Sequence, residues 1–354
     1  MLSGKKVVIT GGTGSLGKVL LRRILSGEMG QPRKIVVFSR DEAKQHELRL
    51  DYSHRKMVTD DVIYKNFKQL LSFHIGDVRN FSDVCAVLQD ADVVFNAAAL
   101  KQVPACEYFP YEAVKTNVAG AENIVRAIRD FKLPVETVVG ISTDKAAKPV
   151  NVMGMTKALQ ERVFVRANID CEQTRFIVVR YGNVLASRGS VIPLFHEQIN
   201  YGGPLTITSP DMTRFLLSLD DAVDLIFAAI RGARRGETYI PRVPSANIQD
   251  LALTLIGDRD IQLKVTGVRP GEKLHEILIS DEEMNRSVER GNHYVIKPIL
   301  PEILSNEVKD DRPLSGAEYS SEDDCMSREQ ILKLLKDRKL LIEDGLRIEG
   351  ELLR

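Results

Sequence analysis

Residues 7–25 read VVITGGTGSLGKVLLRRIL. The stretch opens as a short β-branched run, Val7–Thr10, passes through glycines, and continues with apolar residues at helical spacing. Gly11, Gly14 and Gly17 stand three apart at the junction. In a strand–turn–helix context such glycines let the backbone turn tightly and approach a pyrophosphate, while the helix N-terminus offers free N–H groups and a positive dipole. Thr10, Gly11, Gly14, Ser15, Leu16 and Gly17 are therefore candidate dinucleotide contacts. A glycine-rich turn without a ligand is the competing reading.

The same alternation continues outward. Ile35–Phe38, Leu71–Ile75, Val93–Phe95, Val135–Ile141 and Phe176–Arg180 are short apolar runs of the kind buried on both faces of a parallel sheet. Helix-length segments fit between them at about 15–26, 81–89, 110–131 and 153–168. This order predicts an α/β fold, a doubly wound parallel (Rossmann) sheet, with a smaller α+β C-terminal substrate lobe. The expected division is a dinucleotide-binding domain over 1–185 with an insertion at about 46–70. A substrate-binding lobe over 186–300 is interleaved with it, and a tail over 301–354 ends in a helix near 327–340 capped by Ser327. The polar stretch 305–328 reads as a surface segment.

The strand ends suggest a cofactor track. NAD sites commonly carry an acid at the tip of the second strand; here VVFSRDEAKQ offers Ser39, Arg40 and, one turn on, Lys44. A hydroxyl, a guanidinium and an ammonium suit a 2′-phosphate, so NADP is expected in preference to NAD. Asp41 is the countersign, unless it only caps the next helix. Asp77 and Val78 end the third strand pattern and Ala97, Ala98 and Ala99 the fourth, followed by Lys101. Asn117 is a supporting candidate that could instead brace a helix.

Lys plus Arg and Asp plus Glu both number 49, so there is no electrostatic case for nucleic acid or an anionic membrane surface. The four cysteines are scattered, with no paired spacing and no His cluster, so no metal is expected. The opening MLSGKKVVITGG has no signal-peptide core, and no run reaches about 18 apolar residues. A cytoplasmic protein is expected.

The fifth strand ends in GISTDKAAKPVNVMGMTKALQE, residues 140–161. Lys157 stands where a dehydrogenase carries the lysine of a Tyr-x-x-x-Lys pair, but four positions upstream is Met153, whose thioether has no proton to give. Taken together, the glycine pattern, NAAA at 96–99 and STD followed by GMTK resemble the extended short-chain dehydrogenases/reductases. STDKAAKPVN, GMTK, RYGNVLASRGSVIP, MTRF and RPGEKLHE are, more narrowly, similar to nucleotide-activated N-acetylhexosamine 4,6-dehydratases. The likeness runs over roughly 4–290, and some members of that group also carry Met in place of Tyr.

What the resemblance implies is an NADP-dependent lyase acting on UDP-N-acetylglucosamine, in surface polysaccharide sugar synthesis, as a homo-oligomer. The reaction removes hydride from sugar C4, takes the C5 proton, expels the 6-OH as water and returns the hydride to C6. Asp144 is the expected acid toward the 6-OH, and Lys145 the expected C5 base, its pKa brought down by burial and by Lys157. Thr143 would bond the 4-OH. Lys157 would hold the nicotinamide ribose, and the group that takes the 4-OH proton in place of tyrosine is left open among Asp144 through Thr143, Lys145, and a water on Lys157. Tyr181 and Asn183 would complete the cofactor side. Lys101, Asn183, Arg188, Ser190, Val191, Arg214, Arg269 and Glu272 would face the nucleotide diphosphate or sugar. Inversion at C5, a GDP-linked substrate, a C4 epimerase or reductase, and a non-catalytic NADP-binding protein remain the alternatives.

Overall fold

A computed structural model describes residues 1–54, 67–185, 190–304 and 311–345. Seven strands run parallel: β1 (Lys6–Thr10), β2 (Lys34–Ser39), β3 (Leu71–Ile75), β4 (Val93–Asn96), β5 (Thr137–Ile141), β6 (Arg175–Val179) and β7 (Thr238–Pro241). An antiparallel hairpin, β8 (Ser287–Arg290) and β9 (His293–Ile296), pairs onto β7, and β10 (Arg312–Pro313) closes that edge. The spatial order is β10-β8-β9-β7-β6-β5-β4-β1-β2-β3. The direction of winding reverses between β1 and β4, the crevice where open α/β sheets bind ligands.

Alternation along the strands explains why both faces are buried. Val7 and Ile9 enter one apolar cluster and Val8 the other; Ile35 and Val37 divide from Val36 and Phe38 in the same way. Helices α1 (Ser15–Leu25), α2 (Glu42–His54) and, much later, Leu219–Gly232 cover the first face. Helices α3 (Phe81–Leu88), α4 (Gly120–Phe131) and α5 (Val152–Asp170) cover the second. A third cluster gathers α6 (Val191–Asn200), α8 (Ile248–Ile256) and α9 (Arg328–Asp337) with the short pair Leu205–Ile207 and Leu263–Val265, and with Leu216, which lies just before α7 (the Leu219–Gly232 helix).

Three departures from the sequence reading have physical causes. The single helix expected over 110–131 is three pieces: Pro110–Ala113, a wider π-type turn Val114–Ala119, and α4. The wide turn buries Asn117, which bonds the backbone of Leu100 on both sides, and such bulges gather at functional sites. Of the stretch 305–328 the described residues, 311–328, are not merely surface: β10 and Tyr319–Ser320 pair with the rest of the chain. The hairpin β8–β9 was not anticipated. The insertion expected at about 46–70 lies largely outside the described residues; Tyr52 at the end of α2 stacks on Phe67 where description resumes.

Candidate functional site

A cavity of about 700 Å³ opens over the carboxyl ends of β1, β2, β4 and β5. Its first wall is the turn after β1. Gly11 has φ +65, and a Cβ there would stand 2.8 Å from the Ala98 backbone; one on Gly17 would stand 2.5 Å from Gly12. The glycines therefore set the closeness of β1, β4 and α1. Gly14 is the N-cap residue of α1 and supplies no side-chain cap, so the first N–H groups of the helix are left for a ligand. Ser15 and Leu16 line the cavity beside them. Thr10 does not line it: its hydroxyl donates to Asn96 Oδ1 (2.8 Å) and accepts from Ala98 N (3.2 Å), tying β1 to β4.

At the tip of β2 the acid is spent locally. Asp41 accepts from the Lys44 backbone N–H at 3.0 Å, a helix cap, and its other oxygen lies 3.4 Å from Lys44 Nζ. Ser39 Oγ accepts from Gln45. Arg40, exposed, and Lys44, half-buried, are cations on the cavity rim, Arg40 lying 3.6 Å from Asp77. Burial works against the Asp77 carboxylate, but the fork of Arg79 outweighs it and holds the group below its ordinary range. Val78, Ala97, Ala98, Ala99 and Lys101 complete this end.

The far end is built from the turn after β5 and the start of α5. Asn151 caps α5 through Gly154 N and reaches Gly271 O with its amide. A Cβ on Gly154 would fall 2.1 Å from Lys145 O, so glycine is what lets α5 lie against the 143–146 turn. Met153 is buried against Cys106 and Ala113 and also lines the cavity. Lys157 Nζ donates to Ile141 O (2.6 Å) and to Gln160 Oε1 (2.8 Å), and burial lowers its pKa to about 8, with Glu161 pulling the other way. A neutral amine has two N–H donors and one lone pair, and two acceptors are what it meets here.

Asp144 is fully buried. Thr143 Oγ1 donates to its Oδ1 (2.8 Å), and Oδ2 has no partner among the described residues. Burial, then the charge of Glu276, push the Asp144 carboxyl up, toward the protonated form. Lys145 does not meet the expectation of a lowered pKa. Its Nζ lies 3.0 Å from Asp144 and 2.9 Å from Glu276, and although burial alone would lower it, the two carboxylates outweigh burial and hold it above its ordinary range. Glu276 was missed by the sequence reading, which stopped at Glu272 of the same motif; the signal was an acid in RPGEKLHE, but only the fold brings it to Lys145.

On the substrate side Asn183, Ser190 and Glu272 line the cavity, each with a buried oxygen lacking a partner among the described residues; Tyr181 lines it too. Other candidates lie elsewhere. Arg214 is buried and donates to the carbonyls of Thr213, Lys273 and Leu274, bracing the loop that carries Glu276. Arg269 is exposed, Asn117 braces Leu100 and Thr156, and Val191 packs on the lobe core. Arg188 lies outside the described residues.

Residues 7–298 match the model of a family described as polysaccharide biosynthesis proteins. The chain belongs to that family. Its fold is that of the extended short-chain dehydrogenases/reductases, and it stands among enzymes of the nucleotide-sugar epimerase and dehydratase type. It is 44% identical over 302 residues, 84% of either chain, to a UDP-glucose 4-epimerase of Rickettsia bellii. It superposes with TM-score 0.85 at 33% identity on Pen from Bacillus thuringiensis, covering 96% of this chain and all of that one. A dTDP-glucose 4,6-dehydratase from Streptomyces venezuelae shares the fold at TM-score 0.62 and 20% identity, over 76% of this chain and 86% of that one. Among the described residues no helix is long and apolar enough to cross a membrane, and no acidic, His or Cys group could hold a metal.

Proposed function

We propose that the chain is an NADP-dependent 4,6-dehydratase of UDP-N-acetylglucosamine, yielding a 4-keto-6-deoxy sugar nucleotide. The observation that carries this reading is the buried Asp144 paired with the half-buried Lys145 in the cavity wall, with Asp144 pushed toward its protonated form. An epimerase needs one group to move the 4-OH proton; it has no use for a buried acid and an ammonium beside it. A dehydratase uses both, an acid for the leaving 6-OH and a lysine that, after giving a proton to solvent, takes the C5 proton as a neutral amine.

The residues present fit the cofactor. The glycine turn at 11–17 and the uncapped start of α1 would take the pyrophosphate, and Arg40 with Lys44 the 2′-phosphate. When bound, NADP supplies the hydride chemistry, accepting hydride from C4 and returning it to C6. Lys157, with its lowered pKa and free lone pair, takes the 4-OH proton directly or through a water, and Thr143 bonds the same oxygen. Asp144 protonates the departing 6-OH and later recovers the proton first taken from the 4-OH. Ser190 at the start of α6 and Asn183 would face the diphosphate and sugar. The expected organisation is a cofactor domain over 1–185, a substrate lobe over 186–300 and a homo-oligomer in the cytoplasm.

A second reading, a sugar-nucleotide 4-epimerase, is favoured by the name of the Rickettsia relative. Offering UDP- and GDP-N-acetylglucosamine in competition and recording product NMR separates the readings. The dehydratase consumes the UDP sugar and yields a 6-methyl signal; a 4-epimer that keeps its hydroxymethyl group supports the epimerase.

Two variants probe the details. Arg40→Glu removes a charge-assisted contact and adds repulsion, so NADP affinity in a fluorescence titration should fall about tenfold to a hundredfold while NAD affinity holds or rises. Unchanged preference would return Asp41 to the NAD reading. Met153→Tyr overfills a packed site, costs about 1–3 kcal/mol in stability and leaves turnover within a few-fold. A gain of orders of magnitude would mean that the methionine is damage.

A further inference from the structure

Gln160 is fully buried on α5, and no proton step above uses it. Its amide is held at both ends. Nε2 donates to Ile141 O at 3.2 Å, so Oε1 is the atom left to accept from Lys157 Nζ, at 2.8 Å. Lys157 Nζ donates to the same Ile141 O at 2.6 Å, and a carbonyl has two lone pairs to take both bonds. Of the four tetrahedral corners of the Lys157 nitrogen, one is its own carbon and two are N–H bonds to Ile141 O and Gln160 Oε1. One corner remains on a side chain that lines the cavity, and in the neutral amine that corner is the lone pair. The nearest acid is kept out of this contact. Glu161, the next residue, accepts from Ser142 Oγ at 2.5 Å and from the fork of Arg180 at 3.0 and 2.6 Å. The acceptor that touches the amine is therefore a neutral one.

We infer that Gln160 is a positioning residue for the first proton transfer: it takes one N–H of Lys157 so that the lone pair is left toward the cavity, and, being uncharged, it does so without holding a proton on the nitrogen. The inference rests on the reading of Lys157 as the group that takes the 4-OH proton. In that step the O–H bond breaks and an N–H bond forms on Lys157, while the hydride leaves C4 for the bound NADP and the C4–O bond becomes a ketone. A carboxylate in place of the amide would stabilise the ammonium and so oppose the transfer. The other titratable groups around Lys157 do not take over this role. Asp144 and Lys145, from the turn after β5, are paired with each other. Tyr181, beyond β6, and Cys106, packed beside Met153, are pushed up by burial and carry no charge near neutral pH. Glu161 is the one acid whose charge bears on Lys157, and burial outweighs it.

Gln160→Glu keeps the shape of the side chain and makes the acceptor charged. The rise of cofactor reduction with pH should move up by about one unit or more, which slows the step at neutral pH about tenfold or more, while KM and the plateau at high pH are preserved. Gln160→Met keeps the length and removes both polar ends. Its plateau should fall about tenfold to a hundredfold with KM preserved, because the amine is free to turn away from the cavity. A readout free of turnover is nitrogen-15 NMR of lysine Nζ in the protein as purified: Lys157 should titrate higher in Gln160→Glu than in the wild type, by the shift seen in the kinetics. Thermal unfolding shows which variants fold, and either one alone decides. An unmoved titration in Gln160→Glu, a wild-type plateau in Gln160→Met, or a loss that falls on KM overturns the inference. If the wild type forms no reduced cofactor with any sugar nucleotide, the reading of Lys157 as the base fails instead, and the NMR titration still decides whether Gln160 governs its proton.

Discussion

Lys157→Met should slow the first hydride transfer by about two to four orders of magnitude, the range that positioned acid–base catalysis supplies. Of the two lysines at the floor of the cavity, Lys157 is the one whose amine can accept a proton near neutral pH. Asp144 is pushed up by burial and Lys145 is held up by two carboxylates, whereas burial brings Lys157 down to about 8. The active form of Lys157 is the neutral amine, so the rate should rise as pH passes through about 8 and level off above it. Lys157→Arg should be as poor as the methionine variant, because a guanidinium keeps both its charge and its protons. Stopped-flow formation of reduced cofactor, measured from pH 6 to 10, checks all three. A wild-type rate that is flat over that range, or an active arginine variant, would move the proton back to Thr143 and Asp144.

The second large effect concerns stability. Arg180 is 2% exposed and uses all five of its donors: Nε and Nη2 fork onto Glu161, Nη1 and Nη2 onto Glu283, and Nη1 also reaches Leu278 O. Glu161 in turn accepts from Ser142, and it lies one turn beyond Lys157 on α5. Arg180→Leu leaves two buried carboxylates facing one another and should cost about 3–5 kcal/mol, read as a fall in the urea midpoint. The pH dependence gives a further check. Burial opposes the Glu283 carboxylate, but Arg180 outweighs it and holds the group down at about 2, against 4.5 for an ordinary glutamate. A lowered folded-state pKa stabilises above the unfolded value and stops doing so as pH falls through the folded one. The penalty of Arg180→Leu should therefore be full above about pH 4.5 and shrink as pH drops toward 2. A constant penalty over that range would mean that packing, not charge, is what Arg180 contributes.

The parts of the molecule that were legible in the sequence are local ones. The strand–glycine–helix at 7–25 carries its own turn chemistry, and five of the six parallel strands that follow were legible as apolar runs, their buried residues dividing between two faces. Lys157 and Met153 were readable because i and i+4 share a helix face. What was not legible depends on partners distant in the chain. Lys145 reads as a lone lysine beside Asp144, and nothing near it announces Glu276, which reverses the direction of its pKa. Arg214 and Asn117 look like ligand contacts by residue type, yet the structure uses them internally: Arg214 donates to backbone carbonyls, and the Asn117 amide donates to Leu100 O and Thr156 Oγ1. The β8–β9 hairpin was available in SVERGNHYVI, where two β-rich runs flank a Gly-Asn turn signal, and went unread.

The central claim is that this cavity removes water across C5 and C6. Purified protein incubated with UDP-N-acetylglucosamine in deuterated water, followed by mass spectrometry of the intact sugar nucleotide, tests it directly. The account predicts a product lighter by one water and carrying one solvent deuterium at C5, formed without net consumption of added NADP. A product of unchanged mass, epimerised at C4 and free of deuterium, would contradict it.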